Sequence, residues 1–280
     1  MIIDAHQHFW NYDPSRHTWI NDTMSVLKRD FLPADLDPVL SANGVDGTIA
    51  VQVETSLSET EFLLRLAQFS KKIFGVVGWI DLTAPDIETQ LHTCVGRPKL
   101  CGFRHIVQDE PDDTYLLRED VIRGIRAVGG CGFTYDILVY PRQLPAAIEL
   151  VSRCEKQKFV LDHCAKPFLK TRQFKPWASQ IRELAQSPNV FCKLSGLVTE
   201  ADWRSWQPAD FLPCLDLVVE AFGPSRLMFG SDWPVCLLAG EYRQVKELIA
   251  NYLRQFPANE RRLIFGGVAA QFYGIVEHSE

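Results

Sequence analysis

No two of the eight cysteines form a CxxC pair, no apolar stretch approaches the roughly 20 residues that cross a bilayer, and no run of Lys and Arg interrupts an acidic balance. Each absence removes a class of function. The cysteines are scattered, several within apolar runs such as Cys192 in VFCKL, so buried reduced thiols are expected rather than disulfides. With 29 Lys+Arg against 35 Asp+Glu the net charge is −6. That gives no electrostatic footprint for nucleic acid or an anionic membrane surface, and neither is expected as a partner. The opening MIIDAHQHFW lacks the basic start, apolar segment and cleavage site of a secretory signal, which makes a cytoplasmic location the expectation. There is no P-loop and no GxSxG elbow, since Ser231 sits in GSDWP, so a nucleophilic serine mechanism has no support.

What is present is the composition of an ordinary globular enzyme, 46% hydrophobic and 23% charged over 280 residues. Short runs rich in Val, Ile and Phe recur, each followed by a segment of helical spacing, the alternation that specifies a parallel sheet. Strands are predicted near Ile2–His6, Gly47–Val53, Ile73–Trp79, Leu100–His105, Gly132–Ile137, Phe159–His163, Val190–Leu194 and Leu227–Ser231. Between them FLPADLDPVLSANG closes on Asn43-Gly44, and Thr55–Ser70 offers Ser58 and Glu61 at capping-box spacing. Further amphipathic helices are expected over Pro141–Lys156, Trp177–Gln186, Phe211–Phe222 and Glu241–Phe256. Eight such units fit a closed α/β (β/α)8 TIM barrel, with residues 1–280 as one domain. An open doubly wound sheet is the alternative, but the Gly-rich dinucleotide turn after strand 1 is missing. The long segment Asn11–Phe31 would lie over the catalytic mouth of a barrel.

Alternation along a strand puts Asp4, His6 and His8 on one face, with the histidines at and just beyond the strand end. Two imidazoles at i and i+2 can clasp a metal ion or donate to a substrate oxygen; they can also be plain surface histidines. Other strand ends add to them. Strand 6 ends with Asp162 and His163, strand 8 with Asp232 and strand 4 with Arg104 and His105. Four of the seven histidines thus fall at predicted strand ends, on the face where barrel active sites form, while His17, His92 and His278 do not. Asp232 is the candidate general base, against the alternative of a turn cap; His163 is a candidate partner, against a satisfied core histidine. Arg104 and Lys193 are cations suited to an oxyanion or hydroxyl-rich substrate, or else solvated surface charges. Trp10, Trp19, Trp79 and Trp233 flank strand ends and can wall the site, though Trp79 serves core packing equally well.

Taken in order, HxH, GFRH, DHCAKP, KLSG, RLMFGSDWP and FGGVAAQFYG resemble the amidohydrolase superfamily, in the TIM-barrel branch of metal-dependent hydrolases that includes sugar lactonases of the L-fuconolactonase and L-rhamnonolactonase type. The resemblance runs from Asp4 to Tyr273. It implies hydrolysis of an aldonolactone, an L-fuconolactone-like ester, to the open acid by water activated at Asp232. It implies His6, His8 and His163 as the further catalytic positions; from their place at strand ends, Arg104, His105, Lys193, Trp10 and Trp233 are the expected substrate contacts. A binuclear member would carry a carboxylated Lys or Glu at the end of strand 4 and a His at the end of strand 5, where this chain has Arg104-His105 and Tyr135-Asp136. A single divalent ion, zinc foremost, on His6, His8, His163 and Asp232, or no metal, is what that leaves. The closing motif has Val268 where an Asn is usual. The rivals are a metal-dependent decarboxylase of the same superfamily and a non-catalytic sugar-binding barrel. The expected partner is a small sugar lactone, with self-association into a homo-oligomer left open.

Overall fold

A parallel sheet covered by helices buries both faces of its strands, so its sequence reads as near-continuous apolar runs. The computed structural model, which describes residues 1–276, turns those runs into β1 (Ile3–Gln7), β2 (Gly47–Val51), β3 (Ile73–Gly78), β4 (Leu100–His105), β5 (Thr134–Ile137), β6 (Phe159–Leu161), β7 (Val190–Leu194) and β8 (Leu227–Phe229). Neighbours pair in parallel in chain order, β1 to β8. The ring is drawn together where His8 N donates to Trp233 O at 2.7 Å and Asp232 N to His6 O at 2.8 Å. This is the expected (β/α)8 architecture. His278 lies outside the described residues.

The helices between strands are α1 (Pro33–Ala42), α2 (Leu57–Phe69), α3 (Ile87–Cys94), α4 (Glu119–Gly130), α5 (Leu144–Arg153), α6 (Trp177–Leu184) and α7 (Pro208–Phe222). After β8 come α8 (Tyr242–Tyr252), α9 (Ala258–Arg262) and α10 (Val268–Tyr273). The barrel floor is a separate apolar cluster of Ile3, Ala5, Ile49, Val51, Val77, Val160 and Met228, closed from below by residues of α10. Val268 belongs to that plug and is buried, which accounts for an apolar residue at this place.

Three expectations from the sequence need correction. Asp4 does not share a face with His6. The pairing of β1 with β2 slips between Asp4 and Gln7, a bulge that resets the alternation. Asp4 turns instead to the outer layer, where it accepts from Ser231 N (2.8 Å) and the Tyr242 hydroxyl (3.0 Å). Second, α2 is capped by Ser56, whose extended backbone lets Oγ accept from Glu59 N; Ser58 already lies inside the helix. Glu61 goes to Arg97. Third, β2, β6 and β8 stop two residues short of their predicted ends; after β6 and β8 the chain takes left-handed backbone angles, at His163 and Asp232.

Glu59 anchors the end of β2 by accepting from Val53 N at 2.6 Å, while its other oxygen is buried without a hydrogen-bond partner among the described residues. Burial, reinforced by Glu54, raises its carboxyl from 4.5 to about 8. Between those two values the folded chain keeps a proton that the unfolded chain releases, so stability falls as pH rises through the window. Glu59→Gln retains an acceptor for Val53 N and removes that slope. Its melting temperature relative to wild type should climb by several degrees between pH 5 and pH 9, at about 2–4 °C per kcal/mol for a chain of this size. A difference that stays constant across that range in thermal melts contradicts the assignment.

Candidate active site

The site is assembled at the C-terminal ends of β1, β4, β6 and β8 by two departures from regular strand. After the bulge, His6 and His8 come together with their Nε2 atoms 3.2 Å apart. After β6, His163, Cys164, Ala165 and Lys166 all adopt positive φ, between 50° and 56°. Such a run costs about 1–2 kcal/mol per L residue and persists only when its surroundings hold it. Here the Trp177 indole donates to Cys164 O at 2.8 Å and Lys166 N to His163 O at 2.8 Å. Two glycines clear the space. A Cβ on Gly196, itself at φ +61°, would lie 2.4 Å from His163 Nδ1, and one on Gly230 would lie 2.7 Å from His6 Cβ.

Below these imidazoles lies a layer of ionised side chains, of which Arg104 alone touches the cavity and the others have no solvent access. Lys193 Nζ is 2.5 Å from Asp136 Oδ2, 3.0 Å from Asp162 Oδ1 and 3.1 Å from His6 Nδ1. Asp162 Oδ2 accepts from Arg104 at 2.9 Å, and its Oδ1 stands 3.3 Å from His6 Nδ1. Arg104 also donates to Gln52 and approaches His6 Nε2 at 3.3 Å. Tyr273, from the plug helix, donates to Asp136 at 2.9 Å. Burial pushes the Asp136 carboxyl up to about 6 against the pull of Lys193. At Asp162 burial is outweighed by Lys193, His6 and Arg104, which hold it well below the usual range. Burial would lower the Lys193 ammonium, but Asp136 and Asp162 keep it raised.

Burial lowers all three imidazoles: His6 well below its ordinary value, with Lys193 adding to the effect, His8 to a lesser degree, and His163 to about 4. They are therefore neutral near pH 7 and carry lone pairs. His8 Nδ1 donates to Val51 O at 2.7 Å, which leaves its Nε2 bare; His163 Nδ1 is 2.8 Å from Ser195 Oγ. Asp232 Oδ1 completes the group at 3.3 Å from His8 Nε2, 3.9 Å from His6 Nε2 and 4.0 Å from His163 Nε2. Burial would raise this carboxyl, but His163 and His8 as they take up protons, together with the Lys166 ammonium, hold it lowered, so near pH 7 it is ionised.

These donors fit a divalent cation. Ligands about 2.0–2.1 Å from a tetrahedral zinc stand about 3.3–3.4 Å apart, and the His6, His8 and Asp232 atoms are spaced 3.2, 3.3 and 3.9 Å. The outer bonds of His8 to Val51 O and of His6 toward Asp162 are the kind that orient metal-binding imidazoles.

Above the group opens a cavity of about 390 Å³, lined by His8, Arg104, His163 and Asp232 and also by Lys166, Glu200, Trp203 and Tyr140. Several expected contacts lie elsewhere. Lys193 is fully buried beneath the cavity as the counter-ion of two carboxylates. His105 turns to Glu110 (2.7 Å) and the Trp79 indole, stacked on Tyr115. Trp10 and Trp233 are core residues packed on Phe31, and Trp19 from the Asn11–Phe31 segment lines the cavity instead. Trp203, Glu200 and Lys166 were not foreseen, because they sit in loops after β6 and β7, where no periodicity marks which side chains face inward. The cysteines are free thiols, as expected.

Lys193→Met strips two buried carboxylates of their shared counter-ion, and breaking such a buried set costs about 3–5 kcal/mol. Urea unfolding should show a loss of that size, partly recovered by adding Asp136→Leu. A loss under about 1 kcal/mol would mean the three ions do not support one another.

Known proteins agree with this architecture. The family model described as Amidohydrolase matches residues 3–275. An L-fucono-1,5-lactonase of Burkholderia multivorans is 43% identical over 289 residues, covering 99% of this chain and 97% of that protein. An L-fucono-1,5-lactonase of Burkholderia ambifaria is 37% identical over 281 residues, covering 98% and 95%. A crystal structure of an amidohydrolase from Burkholderia multivorans with bound Zn superposes with a TM-score of 0.94 at 43% identity, covering 99% of this chain and 100% of that one. On the match across nearly its whole length, the chain belongs to the amidohydrolase family.

Proposed function

We propose that the protein is a lactonase that opens an aldono-1,5-lactone, of the L-fucono-1,5-lactone kind, to the aldonic acid. The observation that carries this is the meeting of an ionised Asp232 with neutral His8 at 3.3 Å on the floor of a small-molecule cavity, in a chain 43% identical to an L-fucono-1,5-lactonase.

Asp232 takes a proton from water as the water oxygen bonds to the lactone carbonyl carbon. Arg104, whose guanidinium reaches the cavity from the ion layer, faces the negative charge that gathers on the carbonyl oxygen. As the ring C–O bond breaks, the alkoxide receives the proton that Asp232 removed, relayed by His163, whose Nε2 is 4.0 Å from Asp232 Oδ1. The acid product then ionises, so each turnover releases one proton to solution. His6, His8, His163 and Asp232 would hold a divalent metal ion, which would supply Lewis-acid polarisation and lower the pKa of water. Arg104 and the ionised Asp232 place positive and negative poles on the two reacting atoms in either case.

Asp232→Asn should lower kcat on L-fucono-1,5-lactone by about 10³-fold or more, with an unchanged melting temperature. Proton release in weak buffer is the readout, and absence of carbon dioxide separates ring opening from decarboxylation. Undiminished turnover in the variant removes Asp232 as the base. Chelator and zinc reconstitution on the wild type test the metal, which should raise kcat when restored.

A further inference from the structure

Outside the group of imidazoles and Asp232, the same cavity carries an unusual pair. Lys166 closes the left-handed run, and Glu200 closes the turn Val198–Glu200 that follows β7. Both line the cavity with side chains only 17% and 22% exposed. Their charged atoms are 3.9 Å apart, too far for a hydrogen bond, and among the described residues neither side chain makes one to any other group. Around them the wall is braced: the Trp203 indole donates to Thr199 O at 2.8 Å, Thr199 Oγ1 donates to Gly196 O at 2.7 Å, and the Lys166 ammonium sits 5.3 Å from the Tyr140 ring centre. Mostly buried charged groups left without hydrogen bonds, on a rigid wall and facing a cavity, are suited to a ligand.

We propose that Lys166 and Glu200 are the specificity-determining pair of this cavity, and that they bind the hydroxyls of a neutral, polyhydroxylated ring. This rests on the lactonase reading and names its substrate class. A hydroxyl has one proton to donate and lone pairs to accept with, so one such group, or two neighbours on a ring, serves the Glu200 carboxylate and the Lys166 ammonium together. A carboxylate substituent beside the pair would meet Lys166 but be repelled by Glu200. The pair therefore selects a ring bearing hydroxyls over one bearing acid groups, and leaves the carbonyl to Asp232. Trp203 offers an apolar face beside the same hydroxyls.

The test compares kcat/KM for L-fucono-1,5-lactone with that for δ-valerolactone, the same ring without hydroxyls. In Glu200→Leu and in Lys166→Met the ratio should fall on the order of 30-fold, mainly through KM for the hydroxylated lactone, since one hydrogen bond to a charged group carries discrimination of that order. Glu200→Gln, which keeps one acceptor, should lose less. A ratio unchanged in folded variants overturns the proposal, as does an equal fall on both lactones; if Glu200→Leu does not fold, an unchanged ratio in Glu200→Gln overturns it too. Should the wild type open neither lactone, the lactonase reading fails on its own. Binding of L-fucose by calorimetry then decides the pair: affinity at least tenfold weaker in Glu200→Leu supports it, and equal affinity, or no binding by the wild type, overturns it.

Discussion

Everything at the mouth of this barrel stands on the charge layer in which Lys193 is shared by Asp136 and Asp162. An ammonium with no solvent access is tolerable only when paired, and a pair of carboxylates 2.5 Å and 3.0 Å away supplies that. Asp162 passes the constraint upward, to Arg104 on one oxygen and to the His6 ring on the other. Arg104 in turn is tied to Gln52 at the end of β2. The ends of six strands, β1, β2, β4, β5, β6 and β7, are thereby joined by ionic and polar contacts rather than by apolar packing, in the layer directly above the floor of Ile3, Ala5 and their neighbours. The floor supplies burial; the ions fix direction.

Direction is what the chemistry needs. Neutral imidazoles present lone pairs, and an ionised carboxylate among them presents negative charge, so the mouth of the cavity offers a base and a set of cation ligands at the same point. The cost appears in the backbone. Four consecutive residues after β6 and Asp232 after β8 are left-handed, and Gly196 and Gly230 exist where a side chain would collide with His163 or His6. The loops that carry this strain also carry Lys166, so the turn that aims the imidazole also sets part of the cavity wall.

How much of this was legible in the sequence differs by residue. The eight strands were readable because buried parallel strands leave uninterrupted apolar runs; several ends were off by one or two residues, and at β6 and β8 the reason is a change in the sign of φ, which no run of side chains reveals. His6, His8, His163 and Asp232 were readable as polar residues at the ends of such runs, and the structure brings their atoms within 4.0 Å of Asp232 Oδ1. The bulge in β1 was not readable: it adds a residue without changing composition, so Asp4 was placed on the wrong face. Lys193 followed the alternation of β7 into the barrel, but its depth below the mouth depends on the stagger between strands. Trp10 and Trp233 lie at the right ends of their strands yet fill the core beneath the Asn11–Phe31 segment, because a large ring near a strand end can turn either way. Trp203 and Glu200 gave no signal, being loop residues whose aim is set by tertiary contacts.

The central claim is that the three imidazoles are neutral around an ionised Asp232 because burial, and at His6 also the Lys193 ammonium, resist adding a proton. Nitrogen NMR of histidine-labelled protein measures this directly, ring by ring. The account predicts that His163 titrates near 4 and that His6 and His8 have midpoints below the free value of about 6.5. A midpoint at or above 6.5 for any of the three would contradict it.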